Sequence, residues 1–241
     1  TLKQLQMARP RTKSDTNFIA YSGIMTCLAV IFLFIAVAYI LEGLSDKIIK
    51  DDIYNAIGED LKADFRSKNV KLDKDMSLKF LQDSINKNDE LFEIGSAEMT
   101  PSFKAKVSEI WPKYQQIILN KKNLPYISEI RIEGHTDTIA PKKDQRESYL
   151  YNLSLSSARA QNVLEYVRNL DSYKNLDSEK RNRLDFLLTA NGMSFSRALN
   201  SKGEVSSLSK NDQSIDLNKS RRVECRINTS NEELQKSLST K

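Results

Sequence analysis

The sequence predicts an α+β protein in which a single N-terminal transmembrane helix and a helical linker lead into an α/β sandwich domain. Three observations carry this. Residues 18–41 contain no charged side chain, the segment after them repeats apolar residues every fourth position, and the rest alternates short β-type runs with amphipathic helical ones. The chain has 241 residues, 29% charged and 39% hydrophobic, with a net charge of +5. Residues 76–228 are long enough to bury a core of their own.

The N-terminal residues 1–17 carry Lys3, Arg9, Arg11 and Lys13 against Asp15 alone. The run 18–41, FIAYSGIMTCLAVIFLFIAVAYIL, would reach about 36 Å as a helix, enough for a hydrocarbon core of about 30 Å. No small-residue cleavage site follows it, so an uncleaved anchor is expected rather than a signal peptide. The far flank is acidic on balance (Glu42, Asp46, Asp51, Asp52 against Lys47 and Lys50). The positive-inside rule therefore expects a cytoplasmic tail at 1–17 and an exported body from 42 onward. Ser22, Thr26, Ala29 and Ala36 form one stripe with Gly23 beside it, a small-residue face suited to partner helices.

Residues 42–75 are expected to form a helical linker. Ile49, Ile53, Ile57, Leu61 and Phe65 make one apolar stripe on a helix over about 45–66. It could pair with a second copy, lie on a membrane partner, or dock on the domain that follows; the pattern does not choose among them. Within 76–228, Met76–Leu81 reads as a strand, and Thr100-Pro101 caps and starts a helix to Leu119 that Pro112 should kink or end early. Ile127–Glu133 reads as a strand with Ile130 and Ile132 inward. Ser156 is expected to cap a helix through Arg168, and Ser178 another through Phe186. Leu187–Ala190 and Arg222–Ile227 close the set as strands, the latter with Val223, Cys225 and Ile227 on one face. Residues 229–241 form a polar tail.

One His and two Cys argue against zinc, haem or iron–sulfur ligation and against a disulfide framework. Cys27 and Cys225 are expected on opposite sides of the membrane. His135 reads as a structural histidine, because a metal site would need further ligands. No acid–base pair or activated nucleophile stands out, so no enzymatic activity is expected. The small, scattered basic excess does not suit nucleic acid.

The informative residues are Gly134-His135-Thr136-Asp137, then Asn152, then Leu155-Ser156-Ser157-Ala158-Arg159-Ala160, and finally Ser220-Arg221-Arg222-Val223-Glu224. A strand ending at Gly134 would present Asp137 at the end of a sheet, and Arg159 would lie in the first turn of the following helix. Such a carboxylate and guanidinium complement a zwitterionic ligand through charge-assisted hydrogen bonds. Arg221 could face the ligand too, whereas Arg222 reads as a brace for the sheet. The order of these motifs resembles the C-terminal domain of the OmpA family, a peptidoglycan-binding domain found also in Pal and in the MotB stator subunit. The segment Leu91–Glu98 (LFEIGSAE) is similar to that family as well. The resemblance implies an OmpA-C-like sandwich whose ligand is the diaminopimelate of the peptide stem. Asp137 would take the amine, Arg159 the carboxylate, and Thr136 and Asn152 would line or support the site. The segment Thr138–Leu153 and the Ser- and Lys-rich stretch between Gly192 and Arg222 are longer than the common family version.

Ala20–Thr26 (AYSGIMT) also resembles the A-Y-x-D-x-M-T start of the MotB-type helix. That family places there an acid that binds the driving proton or sodium ion. Here Gly23 takes its place, and no Asp or Glu occurs between Thr16 and Leu41. Ser22, Gly23 and Thr26 are thus the candidates for an ion path or a partner-facing seam. An ion site completed by a partner's acids, a non-conducting complex and an engineered change at Gly23 remain open. No cofactor is expected beyond a transported H+ or Na+. The resemblance implies a MotA-like multi-pass partner, five copies around two of this chain, and hence a homodimer in a bacterial inner membrane with the domain periplasmic. Tyr149–Asn152 (YLYN) and the Ser220–Ile227 ending are similar to the B subunits of Zorya-type anti-phage defence systems. The reading is a peptidoglycan-anchored stator-type subunit of an ion-driven motor in antiviral defence. The alternatives are a flagellar or TolQ/TolR-like subunit and a passive wall anchor.

Overall fold

The structure is a computed structural model that describes residues 13–67, 69–82, 90–141 and 144–229. The basic residues Lys3, Arg9 and Arg11 and residues 230–241 of the polar tail lie outside them. The chain divides into two compact units, Thr1–Ile48 and Ile49–Lys241. Helix α1 (Lys13–Asp60) begins in the first and ends in the second.

In the first unit, Tyr21–Leu41 has a mean hydropathy of 2.8 over a helix long and apolar enough to cross a membrane. Its side chains are exposed all round, as expected of a segment whose solvent is lipid. The Thr26 hydroxyl donates to the Ser22 carbonyl at 2.8 Å, a bond within the helix that leaves the oxygen lone pairs outward.

In the second unit the apolar stripe of α1 is settled. Ile53, Ile57 and Leu61 are fully buried, with Ile49 and Phe65 packed around the same core. The stripe docks on its own domain and so is unavailable for pairing with a second copy. Lys113 to Asp64 (2.7 Å) and Lys122 to Asp52 (2.8 Å) tie the flanks of this helical segment to the domain.

After the short helix α2 (Lys62–Ser67) come strands β1 (Val70–Leu72) and β2 (Leu78–Leu81). Strand β1 lies in the stretch read as linker, too short for its three residues to show a period. Helix α3 (Pro101–Ile118) starts as expected, with Thr100 accepting from the Phe103 N–H. It runs on through Pro112 to Ile118. Buried Ile110, Trp111, Tyr114 and Ile118 hold both sides of the proline in the core, which outweighs the lost backbone bond.

Strand β3 (Ile127–His135) leads to α4 (Gln145–Asn169), α5 (Asp171–Lys174), α6 (Ser178–Leu187) and strand β4 (Leu188–Gly192). Helix α4 starts eleven residues before the expected Ser156. Asp144 is its cap, and neither Gly nor Pro interrupts 145–155. Similarly Asp177, not Ser178, caps α6. The final elements are α7 (Leu217–Ser220) and β5 (Arg222–Thr229).

The five strands form one sheet in the order β1-β2-β5-β3-β4. Among the described strands only β3 and β4 are parallel; helices α4 to α6 supply the crossover that such a pair needs. Leu78, Phe80, Ile130, Ile132, Val223, Cys225 and Ile227 form the apolar face. Phe80 meets Phe103 of α3 edge-on at 5.6 Å, and the Tyr114 hydroxyl donates to the Cys225 carbonyl at 3.4 Å. The chain therefore folds as a mixed α+β protein with a helix-covered five-stranded sheet.

Candidate functional site: a cleft around Asp137, Arg159 and Arg221

Two close approaches build the site. A Cβ on Gly134 would lie 2.2 Å from the Ser156 carbonyl, and one on Gly192 would lie 2.5 Å from the Ser157 N–H nitrogen. Only glycine at these points of β3 and β4 lets the middle of α4 lie against the sheet. Beyond β4, Ser194 adopts a left-handed φ of 50°, a conformation costly for a residue with a Cβ and kept where surroundings fix it. Its carbonyl accepts from Thr136 N–H (3.0 Å), its N–H donates to the Ser156 hydroxyl (3.0 Å), and its hydroxyl donates to the Tyr149 carbonyl (3.0 Å). Ser156 thus joins strand ends to helix from mid-helix instead of capping.

These links place Thr136, Asp137, Asn152 and Arg159 around one cleft of about 520 Å3. Arg159 sits in the middle of α4, a correction to its expected place in a first helical turn, so no helix N-terminus assists it. Asn152 donates to the Ile139 carbonyl at 3.3 Å and steadies the loop after Asp137. The Thr136 hydroxyl is buried with no hydrogen-bond partner among the described residues.

Asp137 is 6% exposed. One of its oxygens accepts from the Ile139 N–H at 2.8 Å, and the other closes on Nε of Arg221. Arg159 is 9% exposed. Its Nε donates to the Ser96 carbonyl at 2.9 Å, and its guanidinium lies 4.8 Å from the Phe92 ring centre. No ion pair satisfies it among the described residues. Burial pushes its pKa down to about 10; Asp137 opposes that shift and Arg221 adds to it. A desolvated guanidinium held on one carbonyl and one ring has the chemistry to receive an anion. The sequence reads Arg221 as able to face the ligand without assigning it to the site; the structure sets it on Asp137. The pivot Ser194 was missed altogether.

Behind the cleft the second face of the sheet is ionic. Glu133 and Glu224 are direct partners across β3 and β5, and Arg222 donates to Glu224 at 2.6 Å while Arg226 reaches its other oxygen at 2.9 Å. Burial acts to raise the Glu224 pKa, but Arg222, His135 and Lys79 outweigh it and hold it near 2. Arg222 is therefore a brace for the sheet, as expected. Glu133, His135 and Glu224 bring potential metal-ligand atoms within 4.8 Å of one another. Arginines already supply cationic charge here: both Glu224 oxygens accept from arginines, and Arg131 and Arg226 each lie 3.5 Å from Glu133, whose oxygens, like the His135 nitrogens, make no hydrogen bond among the described residues.

The OmpA family profile matches residues 91–221, which takes in the cleft from Leu91 to Arg221. Among curated proteins, the Zorya protein ZorB of Escherichia coli is 28% identical over 169 residues, 65% of this chain and 69% of that one. Among solved structures, the cell wall anchor of the type VI secretion system (T6SS) from Pseudomonas aeruginosa is similar at 17% identity. It covers 72% of this chain and 97% of that one, with a TM-score of 0.42. The periplasmic domain of Helicobacter pylori MotB aligns at 18% identity over 68% of this chain and 82% of that one, with a TM-score of 0.37. With more than half of its length, residues 91–221, matched by the family profile, the chain belongs to the OmpA family.

Proposed function

We propose that this chain is the peptidoglycan-anchored B-type subunit of a MotA/MotB-like ion-driven motor that serves in anti-phage defence. One observation carries the binding half of this reading: Arg159 is buried, desolvated and without a carboxylate partner, beside Asp137 in an open cleft. A protein keeps a charge in that state where a ligand completes it. Diaminopimelate of a peptide stem offers an ammonium for Asp137 and a carboxylate for Arg159. Thr136 brings a spare hydroxyl, and Asn152 holds the loop. The apolar helix Tyr21–Leu41 and the likeness to ZorB support the motor half. In this reading the N-terminus is cytoplasmic and the domain periplasmic, with two copies of this chain inside five copies of a MotA-like subunit.

The test is co-sedimentation of the detergent-solubilised full chain with purified sacculi. The wild type should pellet, and Asp137→Ala and Arg159→Ala should stay in the supernatant; equal pelleting of all three would overturn the binding role. Phage challenge against swimming assays in the host separates defence from motility. A second reading, an anchor without ion conduction, is favoured by Gly23 in a helix free of acids from 16 to 41. Proton or sodium flux through the native complex would eliminate it.

A further inference from the structure

Arg159, Arg221 and Asp137 meet in the cleft; Arg222 lines it too but is spent on Glu224. Asp137 meets Arg221 through Nε, so the Nη edge of Arg221 stays free of protein acceptors among the described residues. Arg159 likewise spends only Nε, on Ser96. The Arg221 side chain is 33% exposed, so it can rotate, whereas Arg159 is locked by Phe92 and Ser96. Glu90 and Glu93 also line the cleft, but Glu93 stands in open solvent, where its field is screened. A ligand carrying one ammonium and one carboxylate satisfies Asp137 and Arg159 and leaves Arg221 with no anion once the ammonium shares or takes its place on Asp137.

Resting on the peptidoglycan reading above, we infer that Arg221 is a specificity-determining residue that holds a second carboxylate. The ligand of this cleft is then a stem that ends on diaminopimelate, with its D-centre ammonium and carboxylate and its chain-terminal L-centre carboxylate all free. Asp137 takes the ammonium, Arg159 the D-centre carboxylate and Arg221 the terminal one. A stem extended beyond diaminopimelate has turned that terminal carboxylate into an amide, and a cross-linked stem has lost the ammonium.

The inference is tested by calorimetric titration of the full chain in lipid nanodiscs with two synthetic tripeptides, L-Ala-γ-D-Glu-diaminopimelate with its L-centre carboxylate free or as the primary amide. The wild type should bind the free acid about tenfold more tightly, the worth of one charge-assisted hydrogen bond. Arg221→Gln should bind the two within about twofold, and Arg221→Lys, which keeps the charge without the fork, should fall between. Thermal melts verify that the variants remain folded. Wild type that ignores the amidation, or Arg221→Gln that still discriminates, overturns the role of Arg221 while leaving the Asp137–Arg159 site standing. A third peptide, acylated on the D-centre ammonium, should fail with every version of the chain. Wild type that binds none of the peptides overturns the peptidoglycan reading itself and this inference with it.

Discussion

The carbonyl of Ser194 accepts the backbone N–H of Thr136 at 3.0 Å, while Ser194's own N–H donates to the hydroxyl of Ser156. One residue in a left-handed conformation thereby fixes the end of β3, just before Asp137, against α4, which carries Arg159. The spacing of carboxylate and guanidinium is a property of this junction and of the two glycines beneath it.

Gly134→Ala tests that junction. Its new methyl would sit 2.2 Å from the Ser156 carbonyl, a backbone atom that moves only if α4 moves. The expected result is a loss of about 2–4 kcal/mol in urea denaturation, at the upper end of single-residue effects. Sacculus binding should fall even at temperatures where the variant is folded, because Asn152 and Arg159 shift with the helix. Gly23→Ala, where nothing lies within 4 Å of the added methyl, should leave domain stability unchanged and serves as the control.

Arg159 should set function against stability. Because its guanidinium is buried without an anion, Arg159→Met should keep most of the packing on Phe92 and remove the unpaired charge. The expected outcome is a domain more stable by about 1 kcal/mol, read as a rise of a few degrees in Tm, together with loss of sacculus binding. A drop in Tm would mean that the Ser96 bond contributes more than the desolvated charge takes away.

The ionic face makes a pH prediction with a definite sign. Burial lowers the His135 pKa from its usual 6.5, so the folded state favours neutral imidazole. Burial acts to raise Glu133 and Glu224, but the His135 contact and Arg226 outweigh it for Glu133, and Arg222, His135 and Lys79 for Glu224, so both sit below the usual carboxylate value, Glu224 near 2. In all three the folded state resists protonation more than the unfolded chain does. Their stabilisation is therefore complete above pH 6.5 and is lost as pH falls, first through His135 and then from about pH 5 towards 2 through the carboxylates. For Glu224 alone the span amounts to about 3 kcal/mol. Urea midpoints at pH 7, 5 and 3.5 should decline in that order, and Glu224→Gln should flatten the lower part of the curve while starting from a lower value at pH 7.

How much of this was legible in the sequence depended on period and length. Strand β3 and the last strand showed themselves through alternation at Ile130 and Ile132 and at Val223, Cys225 and Ile227, and Thr100-Pro101 marked its helix start. The cleft residues Thr136, Asp137, Asn152 and Arg159 were found because spaced motifs agreed in order, which geometry then brought together. The start of α4 was hidden because Ser156 is as good a cap by composition as Asp144, and only the sheet behind Gly134 and Gly192 shows that helix must already be present there. Alternation also reveals only the apolar face of a strand. Arg222, Glu224 and Glu133 look like solvated residues until their pairing buries them. The partner of Asp137 needed three dimensions, since Arg221 is 84 positions away.

Helix α1 yields the last prediction, because its apolar stripe packs into the core of the second unit. Ile53, Ile57 and Leu61 are 0% exposed here. A fragment starting at residue 49 retains them together with β1, which pairs with β2 at Val70 and Phe80. One starting at 76 loses all of these and leaves an apolar trough over the sheet. The longer fragment should melt cooperatively, and the shorter should aggregate or bind a hydrophobic dye. Within the full chain, Ile57→Ala should destabilise the domain by about 2–4 kcal/mol through the cavity it opens. Cross-linking of copies through cysteines placed along 49–61 should be weak, since that face is already covered. Efficient cross-linking there, with domain stability untouched by Ile57→Ala, would instead assign the stripe to an interface between subunits.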